Sequence, residues 1–372
     1  MERLRALRLW ILGAAVALTS CASEGPSSGT QASSPEDARA LIDASIPRGV
    51  SDRKGWVTDI YGGFTVQGLQ PTRQNVCAVV AVIEQESNFQ VNTVVPGLGA
   101  IARKEIDSRA QHAGVPLVLV HATLDLRSST GRTYGERIDA ARTEKDLSDV
   151  YEDFIGSVPL GKRLFADWNP IRTRGPMQVN VAFARAYASV RPYPYPVKDS
   201  IADELFTRQG SVYFGIAHLL AYQPPYDEYL YRFADFNAGQ FASRNAAFQH
   251  AVSRASGIPL QTDGALLPHD SGTGNPGSTE LALRALAGKL DMSEDAIHDA
   301  LEQGKAKDFE RTQLYQRVFA LAERVAKRPL PHAIVPSIDL RGPKISRHLT
   351  TSWYAHRVNG RFERCLGAGS GR

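Results

Sequence analysis

"AVVAVIEQESNFQV", residues 78–91, joins a run of alanine and aliphatic side chains to two carboxylates, a serine, an amide and a phenylalanine. Val79, Val82 and Ile83 recur at helical spacing and predict a helix that buries one face. Glu86 falls three residues after Ile83 on that buried side, whereas Glu84 points elsewhere. A carboxylate carried into apolar surroundings binds its proton more tightly, because desolvation penalises the anion. That is how a glutamate serves as a general acid near neutral pH. The same stretch also reads as a helix fraying at a polar end, with Glu86 solvated there.

The chain has 372 residues, 43% hydrophobic and 22% charged, with a formal charge of +4. This is ordinary globular composition with room for one large domain or two modest ones, and it is not the strongly basic balance of a nucleic-acid binder. "MERLRALRLWILGAAVALTSCAS" places Arg3, Arg5 and Arg8 before an apolar segment, Leu9 to Leu18, and small residues before Cys21. That segment is about half a bilayer span, so residues 1–20 are expected to be a secretory signal. The ending "LTSC" resembles a bacterial lipobox, which implies lipidation of Cys21 as the first mature residue. Each acyl methylene buried would contribute about 0.8 kcal/mol of anchoring. Ala22, by resemblance to other bacterial lipoproteins, implies the outer membrane, with the periplasmic face favoured. Residues 21–35 are Ser/Gly/Pro-rich and read as a flexible tether. Cys77 and Cys365 remain, and an exported chain meets oxidising conditions, so they are either free or joined in one disulfide.

The body reads as mainly α, with a principal domain over 36–266, an insertion at about 100–165 and a helical extension over 267–372 packing on the same domain. Ser200 and Asp203 form a capping-box pattern opening one helix through "IADELFTRQGSVYFGIAHLLAY". Further helices are expected at "DEYLYRFADF", "QFASRNAAFQHAVSRA" and "DFERTQLYQRVFALAERVAKR". "VPLVLVHATL" (115–124) and the segment after 333 carry strand signals. The nine histidines are scattered without H-E-x-x-H or close His/Cys pairing, so neither a metal nor another cofactor is expected. The segment 341–364 holds six Lys/Arg against one acid and reads as a solvated basic face or as a contact for glycan, lipid or a protein partner.

Two later fragments bear on Glu86. "RGPMQVN" (174–180) is a Gly-Pro turn leading to Met177, Gln178 and Val179 and a helix capped by Asn180, and "FADFNAG" (233–239) is a helix end. In order, "ESNF", "GPMQVN" and "DFNAG" resemble the three signature blocks of the soluble lytic transglycosylase superfamily, which has the goose-type lysozyme fold. Its blocks read roughly E-S-x-F, G-x-M-Q and A-Y-N-x-G. The resemblance covers about residues 76–256. It implies a lysozyme-like helical domain that binds peptidoglycan glycan strands and cleaves the β-1,4 bond between N-acetylmuramic acid and N-acetylglucosamine. Glu86 would be both acid and base, closing a 1,6-anhydro ring on the muramyl product. Ser87 would orient it or the sugar, Phe89 would wall the pocket, and Met177, Gln178, Phe236 and Asn237 would line the cleft. No carboxylate partner for Glu86 is evident, which suits a reaction assisted by the substrate's acetamido group.

The sequence departs from that pattern in three places. Glu86 and Gly175 stand 89 positions apart, where the family has a few tens, so the insertion must emerge at the rim of the cleft. Gly175-Pro176 replaces a glycine–leucine before Met-Gln. Phe236 replaces the tyrosine that would bond the catalytic carboxylate; Tyr222, Tyr226, Tyr229 or Tyr231 are the candidates to supply that hydroxyl. A second reading therefore stands beside the enzyme: a lipoprotein that binds glycan or an envelope protein on the same scaffold without turnover. The whole chain is also similar to an uncharacterised family of proteobacterial outer-membrane lipoproteins, for which the tail "LTTSWYAHRV" is typical.

Overall fold

The computed structural model describes residues 34–157, 169–268, 275–342, 345 and 347–368. The expected signal segment, Cys21, nearly all of the tether and the last residues of the insertion lie outside them. Ser34 accepts a hydrogen bond from the Asp37 N–H and Pro35 occupies the first turn, opening α1 (Pro35–Ser45). Asp52 caps α2 (Arg53–Val66). Thr72 caps α3 (Arg73–Glu86), in which every residue from Val76 to Ile83 is buried. The expectation of one buried face is thus corrected: α3 is core on all sides, because α1 and two later helices surround it. Burial of each aliphatic side chain contributes about 1.5–3 kcal/mol.

Four helices make up the described part of the insertion: α4 (Leu98–His112), α5 (Leu117–Leu124), α6 (Tyr134–Ala140) and α7 (Glu144–Ser157). They share a small core of Leu124, Tyr134, Ile138 and Val150. The strand expected at 115–124 is helix α5 instead. Pro116 sets its start and among the described residues no neighbouring strand offers it an edge, so β-propensity has nothing to act through. Two strands of two residues, β1 (Thr173–Arg174) and β2 (Val179–Asn180), then form an antiparallel hairpin. The Asn180 side chain accepts from the Ala182 and Phe183 N–H groups to open α8 (Val181–Val190).

The long helix expected from Ile201 is two, α9 (Ile201–Glu204) and α10 (Arg208–Leu220). Thr207 caps α10 and restarts the chain there, and a Cβ at Gly210 would lie 2.2 Å from the Glu204 carbonyl oxygen. α11 (Tyr229–Ala238) and α12 (Ala242–Ser256) follow. A second core then gathers Phe248 and Val252 of α12 with α13 (Ser278–Arg284), α14 (Ala287–Leu290), α15 (Glu294–Glu302) and α16 (Gln313–Ala326). The single helix expected at its end begins as a 3₁₀ turn, Lys307–Arg311, before Thr312 caps α16.

The chain then returns to the first core. A short hairpin, β3 (Asp339–Leu340) with β4 (Leu349–Thr350), leads into α17 (Thr351–Gly367), which buries Tyr354, Ala355, Val358 and Phe362. α17 lies on α3, and Cys77 is bonded to Cys365 with Cα atoms 5.6 Å apart. Arg73 donates to the carbonyls of Cys365 and Leu366 at 2.9 and 3.1 Å, capping the end of α17. The extension is therefore two structures: residues 278–330 build a second core against α12, and the last helix completes the first. The fold is mainly α, and among the described residues no helix is long and apolar enough to cross a membrane.

Candidate functional site

Glu86 is the last residue of α3, half-buried, where the apolar helix opens into a groove of about 250 Å³. The chain turns sharply there. Asn88 and Phe89 adopt left-handed backbone conformations, with φ of 49° and 61°. Such strain persists only when the surroundings enforce it, and it gathers at functional sites. Val91, Asn92, Thr93 and Val95 continue as one wall of the groove.

The β1–β2 hairpin supplies the facing wall. Gly175 has a φ of +74°, and a Cβ there would lie 1.8 Å from the Leu205 carbonyl oxygen, so only glycine fits. The Gln178 N–H returns to the Gly175 carbonyl at 2.9 Å, closing the turn, and Gln178 is itself left-handed with φ of 49°. Its side-chain oxygen accepts from the Thr173 hydroxyl at 2.8 Å. Its amide nitrogen donates to the Glu144 carboxylate at 3.1 Å. Glu86 and Gln178 thus share one groove.

The insertion forms the third side. Val94 bridges Thr143, and the Val95 N–H donates to the Arg142 carbonyl at 2.9 Å, fixing the start of α7 against the strand-like wall. Thr143, Glu144 and Lys145 line the groove. From behind, Arg174, 2% exposed, binds Asp203 at 3.2 Å, approaches Glu152 of α7 at 3.9 Å and lies over the Phe206 ring. Lys145 is turned to Asp149 at 2.6 Å.

Beneath the groove lies a residue that the sequence reading did not select. The Tyr354 hydroxyl of α17 is fully enclosed and has no partner in full hydrogen-bond geometry, yet the charge that bears on it most is that of Glu86. Desolvation first, and then that carboxylate, push its pKa well above the ordinary tyrosine value. A neutral O–H therefore faces the Glu86 carboxylate. The four tyrosines expected to take this part are occupied elsewhere. Tyr222 and Tyr226 donate to Asp235, the former at 2.8 Å, and Tyr229 donates to Asn75 at 2.6 Å. Tyr231 lies tilted against the Tyr226 ring. Burial raises the Asp235 pKa although the Phe241 and Ser243 N–H groups also bind it.

Most of the other expected cleft residues lie behind the groove rather than on it. Ser87 is buried and its hydroxyl closes the helix onto the Ile83 carbonyl at 3.1 Å. Phe89 meets Trp56 edge-on in the core at 5.1 Å. Met177 is fully buried against Gly215, where a Cβ would come within 2.3 Å of its sulfur. Phe236 packs edge-on to His218, and Asn237 accepts from the Thr351 hydroxyl at 2.8 Å. The apolar Phe89 and Met177 suited a cavity wall and a core equally, and the core took them, whereas Phe236 is half-buried and Asn237 exposed away from the groove lining. Glu84 is bound by Arg361 and Arg364 at 3.4 and 3.7 Å, so part of the basic tail serves to dock α17. Among the described residues no group of His, Cys, Asp or Glu side chains is arranged to hold a metal ion.

One signal could have found Tyr354. Cys77 precedes Glu86 by nine residues and Cys365 follows Tyr354 by eleven. On antiparallel helices rising about 1.5 Å per residue, a Cys77–Cys365 bond brings those two side chains to the same level. Glu144 carried no such signal.

A family model described as protein of unknown function (DUF1615) matches residues 49–368. The chain is 46% identical over 366 residues to the uncharacterized protein YaiW of Escherichia coli (strain K12), covering 98% of this chain and all of that protein. No solved structure matches.

Proposed function

We propose, for a chain that belongs to the DUF1615 family, that Glu86 is the general acid and base of a peptidoglycan-cleaving lytic transglycosylase on a lysozyme-like helical scaffold. The observation that carries this reading is the juxtaposition at Glu86 itself. A carboxylate at the end of a buried helix opens into a groove, Gln178 of a strained turn faces it, and a buried neutral tyrosine hydroxyl lies behind it. The hydroxyl missing at Phe236 is supplied by Tyr354 from another helix, which favours turnover over the binding-only alternative.

In the reaction, Glu86 gives its proton to the glycosidic oxygen as the bond to the muramyl anomeric carbon breaks. The resulting carboxylate takes the proton of the muramyl 6-hydroxyl, whose oxygen closes the 1,6-anhydro ring. Tyr354 holds Glu86 at the correct angle and donates toward it when it is ionised. Gln178 binds the sugar from the opposite wall. The chain is further proposed to reach the outer membrane as a lipoprotein, anchored through Cys21. The test is digestion of purified sacculi: the wild-type protein should release 1,6-anhydro-muropeptides, and Glu86→Gln should not. Equal release by both proteins would remove Glu86 from the chemistry.

A further inference from the structure

We infer that a second cavity beside the Glu86 groove is a subsite for the peptide carried by the muramyl sugar, with Arg142 receiving a peptide carboxylate. The inference rests on the peptidoglycan reading above and names the part of the substrate that this chain selects. The cavity, of about 490 Å³, lies between the start of α4 and the end of α6, and its wall includes Val95, which also lines the groove. Arg142 and Thr143, neighbours in the chain, line the cavity and the groove respectively. The two spaces thus meet along one strand-like edge, held by the Val94–Thr143 bridge and by the Val95 N–H on the Arg142 carbonyl. A Cβ on Gly99 would stand 2.7 and 2.8 Å from the Ile138 and Asp139 carbonyl oxygens, so glycine alone lets α4 seat directly on α6 at the floor.

The lining selects among ligands. Val94, Pro96, Leu98, Ala140 and Ala141 are small or aliphatic, and among the described residues no aromatic ring or side-chain amide lines the cavity to receive sugar hydroxyls. Such a surface suits a short peptide with small side chains better than a further sugar. Its two charges are not equivalent. Asp139 is gripped by Arg103 through two hydrogen bonds, at 2.9 and 2.8 Å. Arg142 is exposed, and among the described residues its guanidinium has no carboxylate partner. Its backbone is fixed on both sides, the N–H on Asp146 at 3.0 Å and the carbonyl under Val95 at 2.9 Å. An uncommitted guanidinium on a fixed backbone is a receptor for a carboxylate, which it can bind through two parallel N–H groups. A muramyl residue seated with its anomeric carbon at Glu86 carries its peptide on the lactyl ether. That peptide begins with alanine and bears a free carboxylate on its second residue, and an adjoining cavity with this lining receives both.

The experiment compares two substrates for the full mature protein: glycan strands bearing their peptides, and the same strands stripped by an N-acetylmuramyl-L-alanine amidase. The wild type should cleave the peptide-bearing strands with the lower KM. Arg142→Gln should raise that KM roughly 10- to 100-fold, as for one charge-assisted hydrogen bond. It should leave kcat, and cleavage of the stripped strands, within about threefold, the pattern of lost ground-state binding. Ala140→Trp, which fills the cavity from an exposed position, should act on the peptide-bearing substrate alone. Equal KM values for both substrates in the wild type, or an unchanged KM in both variants, would overturn the subsite. A parallel loss on both substrates with Arg142→Gln would place the cation on the sugar's own lactyl carboxylate or in the fold, and would overturn it too. A second measurement keeps the Glu86 reading separate: calorimetric binding of N-acetylmuramyl tripeptide to Glu86→Gln, which adding Arg142→Gln should weaken by the same factor. Such binding without cleavage by the wild type would overturn the Glu86 chemistry and leave the subsite standing. Cleavage with no dependence on peptide would do the reverse.

Discussion

Removing the Cys77–Cys365 bond by the double substitution Cys77→Ser/Cys365→Ser should cost stability chiefly through the unfolded chain. The bond closes a loop of 288 residues. In the chain-entropy treatment a loop of that length corresponds to about 5–6 kcal/mol at 25 °C, and removal of native disulfides typically costs about 2–5 kcal/mol. The folded protein should change little, since α17 keeps its apolar face, Tyr354, Ala355, Val358 and Phe362, in the first core. It also keeps the Arg361 and Arg364 ion pairs to Glu84. A loss of about 3–5 kcal/mol is therefore expected. The assay is urea unfolding followed by the fluorescence of Trp56, which is buried in that core, on the oxidised wild type and the double variant. The dependence on urea should steepen in the variant, because its unfolded chain is more expanded. A loss below about 1 kcal/mol would refute the reasoning, since the long loop would then place no effective restraint on the unfolded state.

Tyr354→Phe should lower glycan cleavage about 10- to 100-fold, the equivalent of one hydrogen bond to a charged group, while thermal stability holds or rises. The hydroxyl it removes is buried without a geometrically complete partner, and a large loss of stability with full activity would reverse its assignment. Glu84→Gln should cost no more than about 1 kcal/mol, as expected for a partly exposed ion pair, and leave cleavage intact; loss of turnover would show that the acid had been misplaced. His218 is largely buried, its Nδ1 wholly so, and burial lowers its pKa to about 4. The unfolded state therefore takes up a proton below about 6.5 while the folded state does not, so stability should fall by about 3 kcal/mol between pH 7 and pH 4. His218→Gln should flatten that dependence in pH-resolved denaturation, and an unchanged slope would exclude His218 as its source. Mass spectrometry of the mature N-terminus should find a lipidated Cys21; an unmodified terminus at another residue would end the lipobox reading.

The sequence disclosed helices better than their neighbours. The caps at Asn180 and Ser200 and the apolar run before Glu86 could be read locally, because a capping side chain and the N–H that donates to it lie within three residues. What failed was whatever depended on partners. "VPLVLV" has strand composition, but strand formation needs an edge, and the described residues of the insertion provide none beside it. Met177 and Phe89 have the character of a cleft wall, yet only packing decides whether such a residue faces ligand or core. Tyr354 comes to face Glu86 from 268 positions away and Glu144 joins its groove from 58, and proximity across such distances leaves no periodic trace. The disulfide was the one long-range constraint expressed in residue types alone, and its register contained the position of Tyr354.

The crossing of α17 over α3 also has a meaning in time. During synthesis Glu86 is made early, while the hydroxyl that faces it belongs to a helix translated after nearly everything else. A nascent or truncated chain can fold the helices around α3 and expose Glu86 with nothing behind it. It gains a finished site only when the last helix docks and the two sulfurs meet. Docking of α17 is thus the last step in forming this arrangement, and a chain cut between Glu86 and residue 351 would keep the carboxylate and lack the Tyr354 hydroxyl.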